Sequence, residues 1–185
     1  MAGRRTVLKG ALGLGLGLAA APAVARIQDD AATIRPREGD LLVKVGDSTA
    51  KPLTSGDVSP GAQPTVAWPM DPATNTVRSG SRFNRVILVK IDADTLSAET
   101  KPAAVDGIVA YAVICTHAGC DVADWLAEEQ LLYCSCHFSK FDPKDGARVV
   151  DGPAPRSLPA LPLRIVDRKL VVAKPFTTRV GFESG

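Results

Sequence analysis

Six residues able to bind a transition metal lie in one short stretch of the chain. All four cysteines and both histidines of the 185-residue sequence fall between positions 115 and 137. They form two groups, Cys115-Thr116-His117-Ala118-Gly119-Cys120 and Cys134-Ser135-Cys136-His137. Each group offers one thiol and one imidazole close together, and each has one further cysteine. Thiolates and imidazoles are preferred ligands of iron, zinc and copper, so the stretch indicates a metal centre.

The paired motifs C-x-H-x-G-C and C-x-C-H are similar to those of the Rieske iron–sulfur family, over roughly residues 108–162. By that resemblance, Cys115 and Cys134 bind one iron of a [2Fe–2S] cluster, and His117 and His137 bind the other. Neutral imidazoles in place of two thiolates make the oxidised cluster less negative. The reduction potential therefore rises to about −150 to +300 mV.

The resemblance also implies a disulfide between Cys120 and Cys136, which would tie the two cluster loops together. Two free buried thiols are the alternative for this pair. For the whole ligand set the alternative is a structural zinc module, because two cysteines and two histidines also suit tetrahedral Zn²⁺. The C-x-H spacing is unusual for zinc, and a zinc site would not require the two additional cysteines.

The residues after His137 bear on the redox potential, since hydrogen bonds to the cluster sulfurs raise it. In quinol-oxidising members of the family this segment usually reads Gly-Ser-x-Tyr, and here it reads Phe138-Ser139-Lys140-Phe141. Ser139 keeps one donor and Phe141 lacks the other, so we expect a potential below that of a typical bc1 centre. We expect the two phenylalanines to pack under the cluster loop. Ala118 replaces the family's quinol-facing leucine.

Two further resemblances point to different partners. Gly152, Pro153, Ala154 and Pro155 resemble the proline-rich loop that covers the cluster in bc1 and b6f proteins, whereas residues 136–142 resemble the small Rieske subunit of arsenite oxidase. The first hypothesis is therefore an electron-transfer subunit of a quinol:cytochrome c reductase-like complex. The second is the small subunit of a periplasmic molybdenum oxidoreductase. The implied partners are a c-type cytochrome or similar acceptor, with either a quinol-oxidising membrane subunit or a molybdenum catalytic subunit.

The first 25 residues predict a twin-arginine (Tat) export signal. Arg4-Arg5 precedes an uncharged apolar run over residues 10–25 that ends in Ala23-Val24-Ala25, a small-x-small cleavage pattern. We expect cleavage after Ala25 and a periplasmic location. The alternative is an uncleaved segment that tethers the protein to the cytoplasmic membrane. The Tat route carries folded proteins, usually around a cofactor, which agrees with a metal centre.

Composition and charge exclude a nucleic-acid binder. The chain has 22 Lys and Arg against 20 Asp and Glu, a net charge of +2. Without residues 1–25, which hold three of the basic residues and no acid, the net charge is −1. Binding to nucleic acid through its phosphates needs a strongly basic surface. No third histidine or nucleophile elbow accompanies the cluster motifs, so we expect an electron carrier without a complete substrate site of its own.

The remaining pattern predicts an all-β, Rieske-type antiparallel β-sandwich with a small inserted cluster-binding subdomain. Apolar runs separated by turn residues indicate strands, and only residues 121–130 have a helix-like composition. Residues 26–40 read as a flexible leader and 41–185 as the Rieske domain, with the subdomain at about 112–157. Strands are expected at 41–45, 66–68, 86–91, 108–114, 131–134, 148–150, 163–166 and 170–173.

Two groups of charged residues are candidate docking sites, one before the strand expected at 86–91 and one between the two metal motifs. Arg78, Arg82 and Arg85 form a basic cluster that is either a solvated loop or a docking site for an acidic cytochrome. The acidic group is expected to be an exposed face, with a docking patch as the alternative. Its members are Asp121, Asp124, Glu128 and Glu129.

Overall fold

The computed structural model describes residues 30–182, and these form antiparallel β-structure with short helical turns. The strands are Leu41–Lys44 (β1), Thr65–Asp71 (β2), Thr76–Val77 (β3), Val86–Lys90 (β4), Ile108–Ala112 (β5), Asp124–Leu126 (β6), Leu131–Cys134 (β7), Ser139–Asp142 (β8), Arg148–Asp151 (β9), Leu163–Val166 (β10) and Lys169–Val172 (β11). A helical segment covers residues 30–33. Four 3₁₀ turns lie at Ser55–Asp57, Arg82–Asn84, Ala93–Thr95 and Lys101–Ala103.

The strands form two sheets, and the smaller one is an insertion into the larger. The large sheet has the order β10-β11-β1-β2-β4-β5, with β3 paired to β2. The small sheet has the order β6-β7-β8-β9 and lies in sequence between β5 and β10. This arrangement confirms the predicted all-β fold with an inserted small subdomain.

Two apolar cores explain why β4 is apolar at nearly every position. Ile87 and Val89 point into a core shared with the small sheet. Val86 and Leu88 point to the opposite side, into a second core formed within the large sheet. A strand buried on both faces loses the usual alternation of apolar and polar residues. The first core contains side chains of both sheets and therefore holds the small subdomain on the large one.

The turns follow local chemistry, whereas one strand does not. Asp167 and Arg168 join β10 to β11 with φ of +48° and +66°, the left-handed pair of a type I′ hairpin turn. Residues 121–130 have a helix-like composition, but in the structure this stretch contains β6 and a turn to β7. Trp125 on β6 is buried in the first core and pairs with Leu132, and this tertiary packing outweighs the local helix propensity.

The described part of the predicted leader is attached to the large sheet. Asp40 forms a buried bidentate ion pair with Arg78, at 2.6 and 2.8 Å. Gly39 donates its backbone N–H to the Val172 carbonyl, and Asn84 donates its side-chain amide to the Ile34 carbonyl. The predicted Tat signal lies outside the described residues. None of the helical segments within residues 30–182 has the length and apolar character needed to cross a membrane.

The segment after β9 approaches β8 so closely that a side chain would not fit. A Cβ added to Gly152, whose φ is +87°, would lie 2.5 Å from the Ser139 Cα and 2.9 Å from the Phe138 carbonyl oxygen. These neighbours are backbone atoms, which cannot move aside as a flexible side chain can. Gly152 therefore allows the proline-containing loop to lie directly on the β7–β8 connection.

We expect Asp40→Ala to destabilise the protein strongly, because it leaves the Arg78 guanidinium buried and without its main partner. Removing one member of a buried ion pair costs about 3–5 kcal/mol. Urea denaturation followed by circular dichroism measures the effect. Glu38→Ala is the control, since Glu38 pairs with Arg164 on the exposed surface, where the loss is about 0–1 kcal/mol. Equal losses for the two variants would contradict this account of the leader.

We expect Gly152→Ala to lower the free energy of unfolding more than Gly146→Ala does. Both glycines have left-handed φ, which costs an alanine about 1 kcal/mol, but a Cβ at Gly146 would meet no atom within 4 Å. The backbone collision at Gly152 adds about 1–3 kcal/mol of overpacking. Chemical unfolding of both variants separates the two contributions. A similar loss in both would mean that the loop does not press on β8.

Candidate metal centre

Two loops with the same internal geometry carry the six predicted residues. The first loop follows β5, and the second joins β7 to β8. In the first, the Gly119 N–H donates to the Cys115 carbonyl at 3.1 Å, and in the second the Phe138 N–H donates to the Cys134 carbonyl at 2.9 Å. Each loop thus folds back over its cysteine within four residues. The His of each loop lies inside this turn, two or three residues after the cysteine.

A disulfide links the two loops. Cys120 and Cys136 are bonded to each other, with their Cα atoms 6.5 Å apart. Cys115 and Cys134 are free thiols. The Cys134 sulfur lies within 4.8 Å of both disulfide sulfurs, but those two atoms are already bonded and cannot act as thiolate ligands. The four potential metal ligands that remain are the two free thiols and the two histidines.

The two imidazoles face each other at the outer end of the small subdomain. Their ring centroids are 4.6 Å apart and their planes are nearly perpendicular, at 86°. His117 is half-buried and His137 is exposed. The Nδ1 atom of His117 is buried without a hydrogen-bond partner among the described residues. A buried ring nitrogen without a protein partner fits a metal ligand.

The two free thiols lie on the inner side of the same site. Cys115 and Cys134 are each 1% exposed and belong to the core shared by the two sheets. Burial raises the pKa of the Cys115 thiol, and the neighbouring Cys134 thiol raises it further. Two adjacent buried thiols become thiolates only where a cation offsets their charge. Their position therefore also fits a metal centre.

Together these four residues fit a two-iron cluster with sulfur ligands inside and nitrogen ligands outside. The inner pair can hold one iron and the outer pair the other. The disulfide joins the loops beside this set without using any of the four ligands. The sequence prediction thus brought together residues that the structure also places together, and the assignment of each one to an iron stays a prediction.

The proline-containing loop contacts both cluster loops. Ser139 is fully buried beside Cys134 in the β7–β8 pairing, and its Oγ accepts a hydrogen bond from the Ala154 N–H at 3.1 Å. The Thr116 hydroxyl donates to the Arg156 carbonyl at 2.6 Å. Because Ser139 accepts from Ala154, its own proton is left to donate elsewhere. This agrees with its predicted role as a donor toward the cluster.

The two phenylalanines of this segment differ from each other. Phe141 is fully buried in the core that contains Cys115 and Cys134, as expected. Phe138 was predicted to pack under the loop, and this is wrong, because its side chain is 65% exposed. The tight turn that begins at Cys134 directs Phe138 outward and gives it a φ of +65°.

The basic cluster predicted from the sequence is not a cluster in the structure. Arg78 is buried and pairs with Asp40, whereas Arg82 and Arg85 have a different partner. Arg82 and Arg85 both bind the Asp121 carboxylate, at 3.3 and 2.7 Å. Arg82 also donates to the Gly119 carbonyl. These arginines attach the first cluster loop to the large sheet instead of forming a free basic patch.

The C-terminal segment also holds the first cluster loop, and sequence reasoning missed it. A Cβ added to Gly119, whose φ is +77°, would lie 2.7 Å from the ring of Phe182. Arg156 donates to the Gly181 carbonyl at 2.5 Å, so the same segment contacts the proline-containing loop. In the sequence, the glycine of the C-x-H-x-G-C motif indicates a close contact at this position. It does not identify the segment that makes the contact.

Comparison with known proteins agrees with this geometry. Residues 75–162 match the family model described as the Rieske [2Fe–2S] domain. A Rieske subunit of the cytochrome bc1 complex from Streptomyces lividans is 32% identical over 133 residues, which cover 70% of this chain and 76% of that protein. A protein of Haloferax mediterranei named as a Rieske subunit of respiratory nitrate reductase is 49% identical over 69 residues, or 37% of this chain. This chain spans only 30% of the length of that second relative.

A solved structure of a Rieske protein also matches, with lower sequence identity. The soluble domain of Rieske protein II from Sulfolobus acidocaldarius is 24% identical, with 55% of this chain and 66% of that one covered and a TM-score of 0.41. The family model and the Streptomyces relative are stronger matches, and the Rieske domain that they share carries a [2Fe–2S] cluster and transfers electrons. With its two Cys-His loops, its inserted small sheet and these relatives, this chain belongs to the Rieske [2Fe–2S] family.

Proposed function

We propose that this protein is the Rieske electron-transfer subunit of an exported, quinol-oxidising respiratory complex. In this function it takes single electrons from quinol at a membrane subunit and passes them to a c-type cytochrome or a similar acceptor. The observation that carries the proposal is the outward position of the two imidazoles, which brings the redox centre to the surface. The bc1 Rieske relative from Streptomyces lividans, aligned over 70% of this chain, supports the quinol-oxidising assignment.

Cys115 and Cys134 would hold one iron of the cluster, and His117 and His137 the other. The bound cluster supplies one-electron chemistry at about −150 to +300 mV, a range that suits mild donors such as quinols. The protein surrounds the thiols with the first core and so keeps water from the sulfur side. The exposed edge of His137 leaves a short path for electrons between the protein and a partner.

The residues around the ligands keep the two loops in one arrangement. The disulfide, the Ser139–Ala154 hydrogen bond and the Thr116–Arg156 hydrogen bond join the first loop, the second loop and the proline-containing loop. A rigid site moves little when the charge of its centre changes, which favours fast electron transfer. The same contacts would keep the cluster in place while the protein associates with its partners.

A second candidate is the small subunit of a molybdenum oxidoreductase in the periplasm. The 49% identity over 69 residues to the Rieske subunit named for respiratory nitrate reductase favours it, since the bc1 relative is 32% identical, over 133 residues. Ala118 offers a smaller apolar contact to a quinol than leucine would. Phe141 has no hydroxyl to donate to the cluster, which implies a reduction potential below that of a typical bc1 centre. A lower reduction potential also agrees with this candidate.

For location we propose export to the periplasm through the Tat route, either as a soluble mature chain from Arg26 or tethered by an uncleaved N-terminal segment. The support is the Arg4-Arg5 motif, the apolar run after it and the Ala23-Val24-Ala25 pattern. A disulfide between Cys120 and Cys136 agrees with an oxidising compartment. If the cluster is inserted in the cytoplasm, the protein is already folded when it is exported, and the Tat route carries folded proteins.

Low-temperature EPR of the dithionite-reduced protein, with a redox titration, tests the function. We expect a rhombic Rieske signal and a potential below that of bc1 centres with a tyrosine at the position of Phe141. One missing hydrogen bond of about 1–2 kcal/mol corresponds to about 40–90 mV for one electron. A potential as high as that of the tyrosine-containing proteins contradicts this expectation. Zinc without iron would replace the electron-transfer function with the structural zinc module.

We expect Ser139→Ala to lower the midpoint potential by about 50 mV, because it removes one hydroxyl donor near the sulfurs. Phe141→Tyr should change it in the opposite direction by restoring the second donor. Ser97→Ala is the matched control, since the Ser97 hydroxyl also accepts a backbone N–H, from Thr100, but lies outside the small subdomain. The same titration measures all three. A shift in the control as large as that in Ser139→Ala would assign the effect to general loss of structure.

We expect Arg4→Lys with Arg5→Lys to stop export, because the Tat route depends on the arginine pair. The protein would then accumulate in the cytoplasm with its N-terminal segment intact. Cell fractionation and mass spectrometry of the N-terminus measure both effects. Lys9→Arg is the control, since it keeps the charge and leaves the pair unchanged. Normal periplasmic levels of the double variant would exclude this route.

A further inference from the structure

Phe138 has a backbone conformation that its side chain disfavours. Its φ of +65° lies in the left-handed region, where a bulky residue is strained and glycine is not. Its side chain is 65% exposed, so burial in this protein does not compensate for the strain. An aromatic side chain kept in a strained turn and left in water indicates a use outside the folding of this chain.

The neighbours of Phe138 form a defined surface on the outer face of the small sheet. Asp124, Tyr133, Lys140 and Asp151 are cross-strand partners in one row across β6, β7, β8 and β9. Directly paired residues share a face, and the alternate residues Leu132 and Phe141 point inward to the core. The rings of Phe138 and Tyr133 stack, with centroids 6.4 Å apart and 25° between their planes. The row therefore continues to the cluster end of the subdomain.

This surface carries an excess of negative charge. The Lys140 ammonium lies 3.0 Å from the Glu129 carboxylate, so its charge is already compensated within the protein. Asp124 and Asp151 at the two ends of the row are exposed. Together the row and Glu129 have three carboxylates against one ammonium. An apolar, aromatic part beside a charged rim is the usual composition of a protein interface.

We propose that Phe138 and this row form the docking face for the electron-accepting protein, with Phe138 as its apolar anchor. The occupant is a one-electron carrier whose own cofactor edge lies in an apolar patch surrounded by lysines and arginines. Since Glu129 is paired with Lys140, charge complementarity with Asp124 and Asp151 favours a basic partner. Because Phe138 follows His137 directly, a protein bound to it would lie next to the outer imidazole. The inference rests on the proposed function and adds the type of partner surface.

Stopped-flow mixing of the reduced holoprotein with a strongly basic c-type cytochrome tests the proposal. We expect Phe138→Gly to lower the second-order rate constant about tenfold at both low and high ionic strength, as the loss of an aromatic anchor does. The EPR spectrum and the midpoint potential should stay unchanged, and so should the rate with ferricyanide, a small oxidant that needs no docking face. Glycine removes the backbone strain, so the thermal midpoint should stay within about 4 °C of the wild type. Ile165→Ala, at an exposed apolar position on β10, is the control and should leave the rate unchanged.

Charge variants test the chemistry of the partner. Asp124→Asn with Asp151→Asn should slow the reaction several-fold at about 10 mM ionic strength and have little effect at about 1 M, where the Debye length is only about 3 Å. Asp94→Asn with Asp167→Asn changes the net charge equally at distant positions. This control pair should have a much smaller effect at low ionic strength.

Three results would overturn the docking proposal. The first is an unchanged rate constant for Phe138→Gly, and the second is a shifted EPR spectrum or potential, which would make Phe138 a residue that shields the cluster. The third is an equal effect of the two charge pairs, or a faster reaction after removal of Asp124 and Asp151. Failure of the proposed function is a separate result. In that case the wild-type protein gives no Rieske signal, or its reduced centre is not reoxidised even by ferricyanide.

Discussion

The two buried thiols are the constraint on which the rest of this structure depends. Cys115 and Cys134 lie in the core between the two sheets, where two thiolates are unfavourable unless a cation balances them. The two loops that carry them must therefore be held together, so that both thiols and both imidazoles can serve one metal centre. The disulfide, the close approach of Gly152 to β8 and the arginines on Asp121 all restrain these loops. Each of these contacts joins segments that are distant in sequence.

The large sheet is the base that makes this restraint effective. β5 leads directly into the first cluster loop, and the segment after the small sheet returns to hydrogen-bond with β5, as Leu161 N–H donates to the Ala110 carbonyl. The small subdomain is thus attached at both ends to one strand. Phe182, the last of the described residues, packs against Gly119, so this segment also contacts the first cluster loop.

The sequence allowed the site to be predicted better than its surroundings. Cys115, His117, Cys134 and His137 could be predicted as ligands because the cluster motifs have a fixed spacing, which is a local property, and the structure places their two loops side by side. Strands such as β4 were found because they are apolar throughout. β6 was not among the expected strands because residues 121–130 have a helix-like composition, and the burial of Trp125 against its β7 partner makes this stretch a strand. The ion pairs of Arg78 and Asp121 could not be predicted, since each partner lies more than 30 residues away.

Phe138 shows how a wrong prediction can carry functional information. An aromatic residue beside a cluster loop is expected to be buried, because burial is what stabilises such a side chain. The turn that holds His137 outward gives the next residue a left-handed φ and directs its side chain to solvent. At Phe138, the turn geometry directs the ring outward, whereas burial of the ring would favour an inward direction. The turn therefore decides the position of Phe138, and its exposed ring is free to serve as the docking anchor proposed above.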